Sequence, residues 1–187
     1  MNLSLLTLAE PDLAIEGSNP DKLYSVARNV ADALVHAGGI TRQYLTGEMM
    51  AAFGASDADG AWSMRDAYDA LETAQVLLIG REDWLGMNSA EPEAVFAALL
   101  AFQNSLPTQT YRSEHQVDLQ QFSTPLALAW LAARAGQLKS DDLVLEPSAG
   151  NGMLAAHAAR SGARLLLNER DQLRSALLGL ALSHDVT

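Results

Sequence analysis

Cysteine is absent from the 187 residues of this chain. Its absence excludes disulfide bonds and thiolate metal sites, and it fits a reducing cytoplasm. Long apolar runs are absent as well. No stretch approaches the ~18 consecutive apolar residues that a membrane-spanning helix requires, and the N-terminal leucines have no basic leader of the kind a signal peptide carries. The sequence therefore predicts a cytoplasmic protein with no membrane segment.

Positive charge is scarce. The chain has 12 Lys and Arg residues against 23 Asp and Glu residues, which gives a formal net charge of -11. Residues 1–112 carry 6 basic and 15 acidic side chains, whereas residues 113–187 carry 6 and 8. A broad nucleic-acid surface needs clustered Lys and Arg. We therefore expect any contact with nucleic acid in the second part of the chain or elsewhere in a longer protein.

Metal-ligand patterns are missing too. The four histidines, at positions 36, 115, 157 and 184, lack the spacing of a metal site. The acidic loop at 56–60 begins like a calcium loop, but the positions that follow do not supply the remaining ligands. We predict no metal site, a solvated turn at 56–60, and a packing or solvent-facing role for His157.

The first half of the chain has the apolar periodicity of helices. Hydrophobic residues make up 49% of the sequence and charged residues 19%, as in folded globular proteins. Residues 1–19 are predicted to be a flexible arm and residues 20–104 an all-helical module. Its helices are expected to begin at Pro20, after Thr41, at Ser63 and near Pro92, where capping residues precede apolar positions at helical spacing.

The second half changes pattern. Residues 105–124 are predicted to be a linker that ends in a cofactor-facing segment, and residues 125–187 an αβαβα unit, with Thr124 capping its first helix. Short apolar strands at 142–146 and 164–168 alternate with helices, which predicts parallel pairing. Two parallel strands make an incomplete sheet. We therefore expect the N-terminal helices or self-association to cover its edge.

A glycine-containing turn follows the first strand. Gly150 and Gly152 allow close approach to the backbone, and the start of the next helix offers free N–H groups to an anion. Glu169 ends the second strand, 23 residues after Glu146, where an acid can accept hydrogen bonds from ribose hydroxyls. The third glycine of a dinucleotide fingerprint is replaced by Ala155, and no phosphate loop is present. The pattern favours a nucleoside-containing cofactor over the alternative, a plain turn with a solvated Glu169.

Two segments together resemble the cofactor motifs of N6-adenine DNA methyltransferases. They are Phe122-Ser123-Thr124-Pro125 and Leu145-Glu146-Pro147-Ser148-Ala149-Gly150-Asn151-Gly152. The resemblance implies an S-adenosylmethionine cofactor and a partial Rossmann-like methyltransferase fold after the helical module. By position, it implies that the methionine part of the cofactor is bound by Phe122, Thr124, Pro125, Glu146, Ser148, Ala149, Gly150 and Gly152, and the ribose by Glu169. Asn151 stands where Thr, Ser or Cys is more usual.

Further segments resemble the front end of bacterial strawberry notch-like proteins, which are methylase–helicase fusions of plasmids and phages. They are residues 56–62, 66–72, 106–114 and 119–125. The resemblance implies a helicase-like ATPase in the same polypeptide of the full-length protein and DNA as its partner.

The catalytic motif of the resembled methyltransferases is missing. Amino-methyltransferases carry Asn, Asp or Ser followed by Pro-Pro and an aromatic residue, and this tetrapeptide does not occur here. We therefore predict no catalytic residue in this chain, and the sequence leaves open whether it is an enzyme. One alternative is a non-enzymatic interaction or scaffolding domain that retains a methyltransferase half-fold. Another is a restriction–modification or anti-restriction domain that contacts DNA directly, against which the acidic balance argues.

Overall fold

The computed structural model of the protein describes residues 19–88, 90–108 and 123–183. In chain order they form α1 (Pro20–Ala37), α2 (Arg42–Phe53), α3 (Met64–Ile79), α4 (Pro92–Asn104), α5 (Leu126–Gly136), β1 (Leu143–Glu146), α6 (Met153–Arg160), β2 (Arg164–Leu167) and α7 (Gln172–Leu182). The described chain is α/β, mostly helical with a small two-stranded parallel sheet. Phe122, the predicted arm before residue 19 and most of the predicted linker lie outside the described residues.

Local capping chemistry explains where the helices begin. The Asn19 side chain accepts a hydrogen bond from the N–H of Lys22 at 3.0 Å, and Pro20 takes the first position of α1. Thr41 caps α2 in the same way. The predicted Thr124 cap is wrong, because Pro125 takes the N-cap position and the helix starts at Leu126. Thr124 is thereby one residue too far from the first turn to cap it.

Helix α3 is the centre of the molecule. Twelve of its sixteen residues are buried, so it packs on several sides at once. Val76 of α3, Leu126 of α5 and Leu177 of α7 belong to one cluster of buried side chains that also includes the apolar face of α1. The helical module and the αβ unit therefore share a core, and α3 lies where they meet.

The two strands are parallel, as predicted, with Leu145 beside Leu166 in the register. One face of the sheet packs against α6 and α7 through Leu167 and its neighbours. The opposite face is open: Leu143, Leu145 and Leu166 are 55%, 66% and 53% exposed. The described N-terminal helices leave this face uncovered. That the N-terminal helices or self-association cover the edge of the sheet stays a prediction.

The described residues contain neither a candidate membrane span nor a candidate metal cluster. No helix in residues 19–88, 90–108 and 123–183 combines the length and the apolar character that crossing a bilayer requires. The same residues contain no group of three or more His, Asp or Glu side chains placed to hold a metal ion.

In the loop at 56–60, a short 3-10 turn is closed by Asp59, which accepts hydrogen bonds from the N–H and hydroxyl of Ser56.

Candidate functional site

A cleft of about 500 Å³ opens where β1 and β2 end. The carboxyl ends of parallel strands lie at one edge of the sheet, which brings the turn after β1 beside the turn after β2. Six of the residues predicted from the sequence line it: Thr124, Glu146, Ser148, Ala149, Gly150 and Glu169. Pro125 and Gly152 are not among the lining residues, and Phe122 lies outside the described part of the chain.

Hydrogen bonds hold the two turns together. The N–H of Ala149 donates to the carbonyl of Asn168 at 2.9 Å, and the N–H of Gly150 donates to Glu169 Oε2 at 2.7 Å. Glu169 Oε1 accepts from the N–H of Asp171 at 2.8 Å. A carboxylate oxygen has two lone pairs, so each oxygen of Glu169 can accept a second hydrogen bond from a ligand. Glu169 is therefore a half-buried part of the cleft and not a solvated residue of a plain turn.

The two glycines of the turn serve different purposes. Gly150 has φ +56°, and a Cβ added there would meet nothing closer than Arg174 Nη1 at 4.0 Å, so it leaves the cleft open. Gly152 has φ +100°, and a Cβ added there would lie 2.6 Å from Leu178 Cδ1. Gly152 thus allows α7 to pack against the turn. Only Gly150 keeps the backbone accessible in the cleft, as the sequence predicted for both.

The start of α6 gives the cleft a positive pole. Met153 and Leu154 occupy the first turn of this helix, and both line the cleft. The first N–H groups of a helix have no partner within it, and the aligned peptide dipoles place partial positive charge there. This end of the cleft is suited to a carboxylate or another anion.

Helix α3 forms one wall of the cleft through Glu72. The side chain of Asn151, in the glycine turn, joins the turn to α3. Its Nδ2 donates to Asp69 Oδ1 at 2.8 Å and to Glu72 Oε2 at 2.7 Å, and Asn151 is only 4% exposed. The Ser123 hydroxyl also donates to Glu72 Oε2. Three separate segments, namely α3, the glycine turn and the residues before α5, are thus joined at Glu72.

A buried ion pair lies behind this wall. Arg174 of α7 donates through Nε to Asp69 Oδ1 at 2.9 Å, its Nη2 forms an ion pair with the same oxygen at 2.9 Å, and both side chains are almost fully buried. Arg65 contacts Asp69 and also pairs with Asp171. Burial raises the pKa of Asp69 to about 6, against the opposing effect of Arg174. Burial alone would lower the pKa of Arg174, but the carboxylates of Asp69, Glu72 and Asp171 outweigh it and raise that pKa.

These polar residues were not predicted as functional from the sequence. Arg65, Asp69 and Glu72 are spaced by four and three positions, which forms one polar stripe on a helix whose other faces are apolar. This polar stripe was the sequence feature that could have indicated a functional role. Asp69 and Glu72 lie in segment 66–72, one of those that resemble strawberry notch-like proteins. Asn151, which stands where Thr, Ser or Cys is more usual in the resembled motif, holds the turn against α3 through its side chain.

His157 packs inside the protein on α6, away from the cleft. It is 5% exposed, and its Nε2 is buried without a hydrogen-bond partner among the described residues. Burial, reinforced by the charge of Arg160, lowers the pKa of His157 to about 4. The predicted packing role is confirmed, and the histidine remains neutral in the folded protein at physiological pH.

His157→Leu should stabilise the protein increasingly as the pH falls from 7 to 4. Between about pH 6.5 and 4, the unfolded chain binds a proton at His157 that the folded chain does not, so the wild-type free energy of unfolding falls with falling pH. The difference between variant and wild type should grow by up to about 3 kcal/mol over this range. Urea unfolding at several pH values measures it. His157→Phe should behave alike, and a difference that does not change with pH would contradict the assignment.

Comparison of the chain with models of protein families, with curated proteins and with solved structures finds no match. Inference about function therefore depends on the cleft and on the motifs that line it.

Proposed function

We propose that the chain binds S-adenosylmethionine in the cleft at the ends of β1 and β2, as the cofactor-binding part of an N6-adenine DNA methyltransferase-like protein. The observation that carries the proposal is the convergence of three features in one cleft: the accessible backbone at Gly150, the positive start of α6 and the carboxylate of Glu169. In this proposal the two strands and their helices are the beginning of a Rossmann-like methyltransferase sheet.

The cleft fits the parts of this cofactor. Its volume of about 500 Å³ is within the range of ~300–1,000 Å³ that small-molecule sites occupy. The start of α6 suits the methionine carboxylate, and Glu169 can accept hydrogen bonds from the ribose hydroxyls through its remaining lone pairs. When bound, S-adenosylmethionine would supply an electrophilic methyl group. The residues of this chain would bind and orient it.

We propose cofactor binding by this chain and no catalytic step. The Pro-Pro-aromatic tetrapeptide that grips a target adenine is missing from this chain. In the resembled methyltransferases that tetrapeptide holds the extruded base, so no catalytic role is proposed for the residues of this chain. DNA as a partner and a helicase-like region in the same polypeptide are proposed from the motif resemblance alone.

The geometry favours ligand binding over an interaction domain with a vestigial turn. A vestigial turn is expected to collapse, and its acid is expected to turn into solvent. Here the turn leaves an open cleft, and Glu169 is half-buried with hydrogen bonds to both oxygens. These contacts hold the turn in a shape that a ligand can enter.

Isothermal titration with S-adenosylmethionine and S-adenosylhomocysteine tests the proposal. Both should bind the wild-type protein at one site. Gly150→Arg should abolish binding, because the new side chain would fill the cleft. An added Cβ at Gly150 meets only Arg174 Nη1, at 4.0 Å, so the backbone can accept the side chain without a clash.

Gly54→Arg is the matched control. Gly54 also has a positive φ, +76°, and nothing lies within 4 Å of an added Cβ there. Both variants lose the same conformational advantage, about 1–2 kcal/mol, but Gly54 ends α2 and does not line the cleft. Gly54→Arg should therefore bind like wild type. Absence of wild-type binding, or equal binding by Gly150→Arg, would remove the proposal.

A further inference from the structure

Glu72 is the acid that α3 contributes to the cleft. Its Oε2 accepts the hydrogen bonds from Asn151 and Ser123, whereas its Oε1 accepts none from the described residues. The two donors fix the carboxylate, and among the described residues they leave Oε1 for a ligand in the cleft. A fixed carboxylate with an unused oxygen is suited to a cationic donor.

The other acids of the cleft are occupied in a different way. Both oxygens of Glu169 accept backbone hydrogen bonds that hold the two turns, and Glu146 Oε1 accepts from the N–H of Ser148 at 3.3 Å. The fourth acid of the lining, Asp171, pairs with Arg65 and accepts from the N–H of Arg174 at 3.0 Å. Among these four acids, Glu72 is the one from the helical module, and the described residues hold it through side chains only.

The position of Glu72 relative to α6 determines which cationic group it would meet. Its donor Asn151 comes directly before Gly152, the N-cap of α6. An α-amino acid carries its carboxylate and its ammonium group on one carbon atom. A ligand whose carboxylate binds the start of α6 can therefore direct its ammonium group toward Glu72, which lines the same cleft and is hydrogen-bonded to the residue before the N-cap.

We propose that Glu72 binds the methionine ammonium group of S-adenosylmethionine, so that the helical module completes the cofactor site. This inference depends on the proposed function. Asn151 acts as a positioning residue: it is buried, it donates to Asp69 and Glu72 together, and it orients the free oxygen of Glu72. The αβ unit alone would supply the contacts to the carboxylate and the ribose, and it would lack the carboxylate that α3 adds beside Asn151.

The test compares Glu72→Gln with wild type by isothermal titration against three ligands. The amide oxygen of Gln can still accept from Asn151 and Ser123, so the variant keeps its local hydrogen bonds and loses the charge. Hydrogen bonds to charged groups are worth about 1.5–3 kcal/mol, so S-adenosylmethionine and S-adenosylhomocysteine should each bind roughly tenfold to a hundredfold more weakly. 5′-Methylthioadenosine, which has no amino acid part, should bind the two proteins within about twofold. Glu93→Gln, on the exposed side of α4, is the charge-matched control and should bind all three ligands like wild type.

A measurement on the wild type alone avoids any effect of the variant on folding. S-Adenosylhomocysteine with hydrogen in place of its amino group should bind at least about tenfold more weakly than S-adenosylhomocysteine. Equal affinities there would overturn the inference. Unchanged binding by Glu72→Gln, or an equal loss of affinity of this variant for 5′-methylthioadenosine, would also overturn it. A loss confined to S-adenosylmethionine would assign Glu72 to the sulfonium and overturn it as well. Wild type that binds neither cofactor form removes the proposed function itself, whereas the other outcomes remove only the role of Glu72.

Discussion

Asp69→Ala is expected to lower the free energy of unfolding by about 3–5 kcal/mol, because it leaves the buried guanidinium of Arg174 without its partner. Asp69 and Arg174 are 2% and 6% exposed at the side chain and are joined by one hydrogen bond and one ion-pair contact, each at 2.9 Å. The substitution also removes one acceptor of Asn151. For a chain of this length the melting temperature should fall by roughly 6–20 °C, which thermal unfolding followed by circular dichroism measures.

A double-mutant cycle separates the ion pair from simple loss of packing. Adding Arg174→Met to Asp69→Ala should recover at least about 1 kcal/mol relative to the sum of the single effects, since neither charge then remains buried alone. Asp141→Ala, at an exposed acid in the turn before β1, is the control and should change stability by less than about 0.5 kcal/mol. Additive single effects would show that the pair is not coupled, contrary to the buried geometry.

Gly152→Ala is expected to destabilise the protein by about 2–5 kcal/mol. The left-handed backbone at φ +100° costs an L-residue about 1–2 kcal/mol. Overpacking against Leu178, which is 0% exposed and would lie 2.6 Å from the new methyl group, adds about 1–3 kcal/mol. Urea unfolding of the variant gives the total.

Gly54→Ala isolates the backbone part of this cost. Gly54 has φ +76° and no atom within 4 Å of an added Cβ, so its substitution should cost the backbone strain alone. The excess of Gly152→Ala over Gly54→Ala measures the contact with α7. Equal losses in the two variants would mean that α7 does not pack closely on the glycine turn.

Features set by neighbouring residues could be predicted from the sequence. Asn19 and Thr41 mark the helix starts because a cap acts on amides two or three residues away. The parallel pairing of β1 and β2 follows from apolar strands alternating with helices, and the ends of such strands predict a cleft at Glu146 and Glu169.

Features set by distant residues could not be predicted. Arg174 and Asp69 are 105 positions apart, and Asn151 and Glu72 are 79 apart. Neither pair has a local pattern that links its members. A glycine after a strand can serve the close approach of a ligand or the close packing of a helix. The sequence alone predicted the first use for Gly152. Only the position of α7 distinguishes them.

Titration of the isotopically labelled protein with S-adenosylmethionine, followed by nuclear magnetic resonance, tests the central claim most directly. If the cleft binds the cofactor, the backbone amides of Gly150, Asn151, Met153 and Glu169, which surround it, should show saturable shifts, with little change in α2. S-Adenosylhomocysteine should shift the same amides. No shifts at saturating ligand, or shifts confined to residues away from the ends of β1 and β2, would contradict the account.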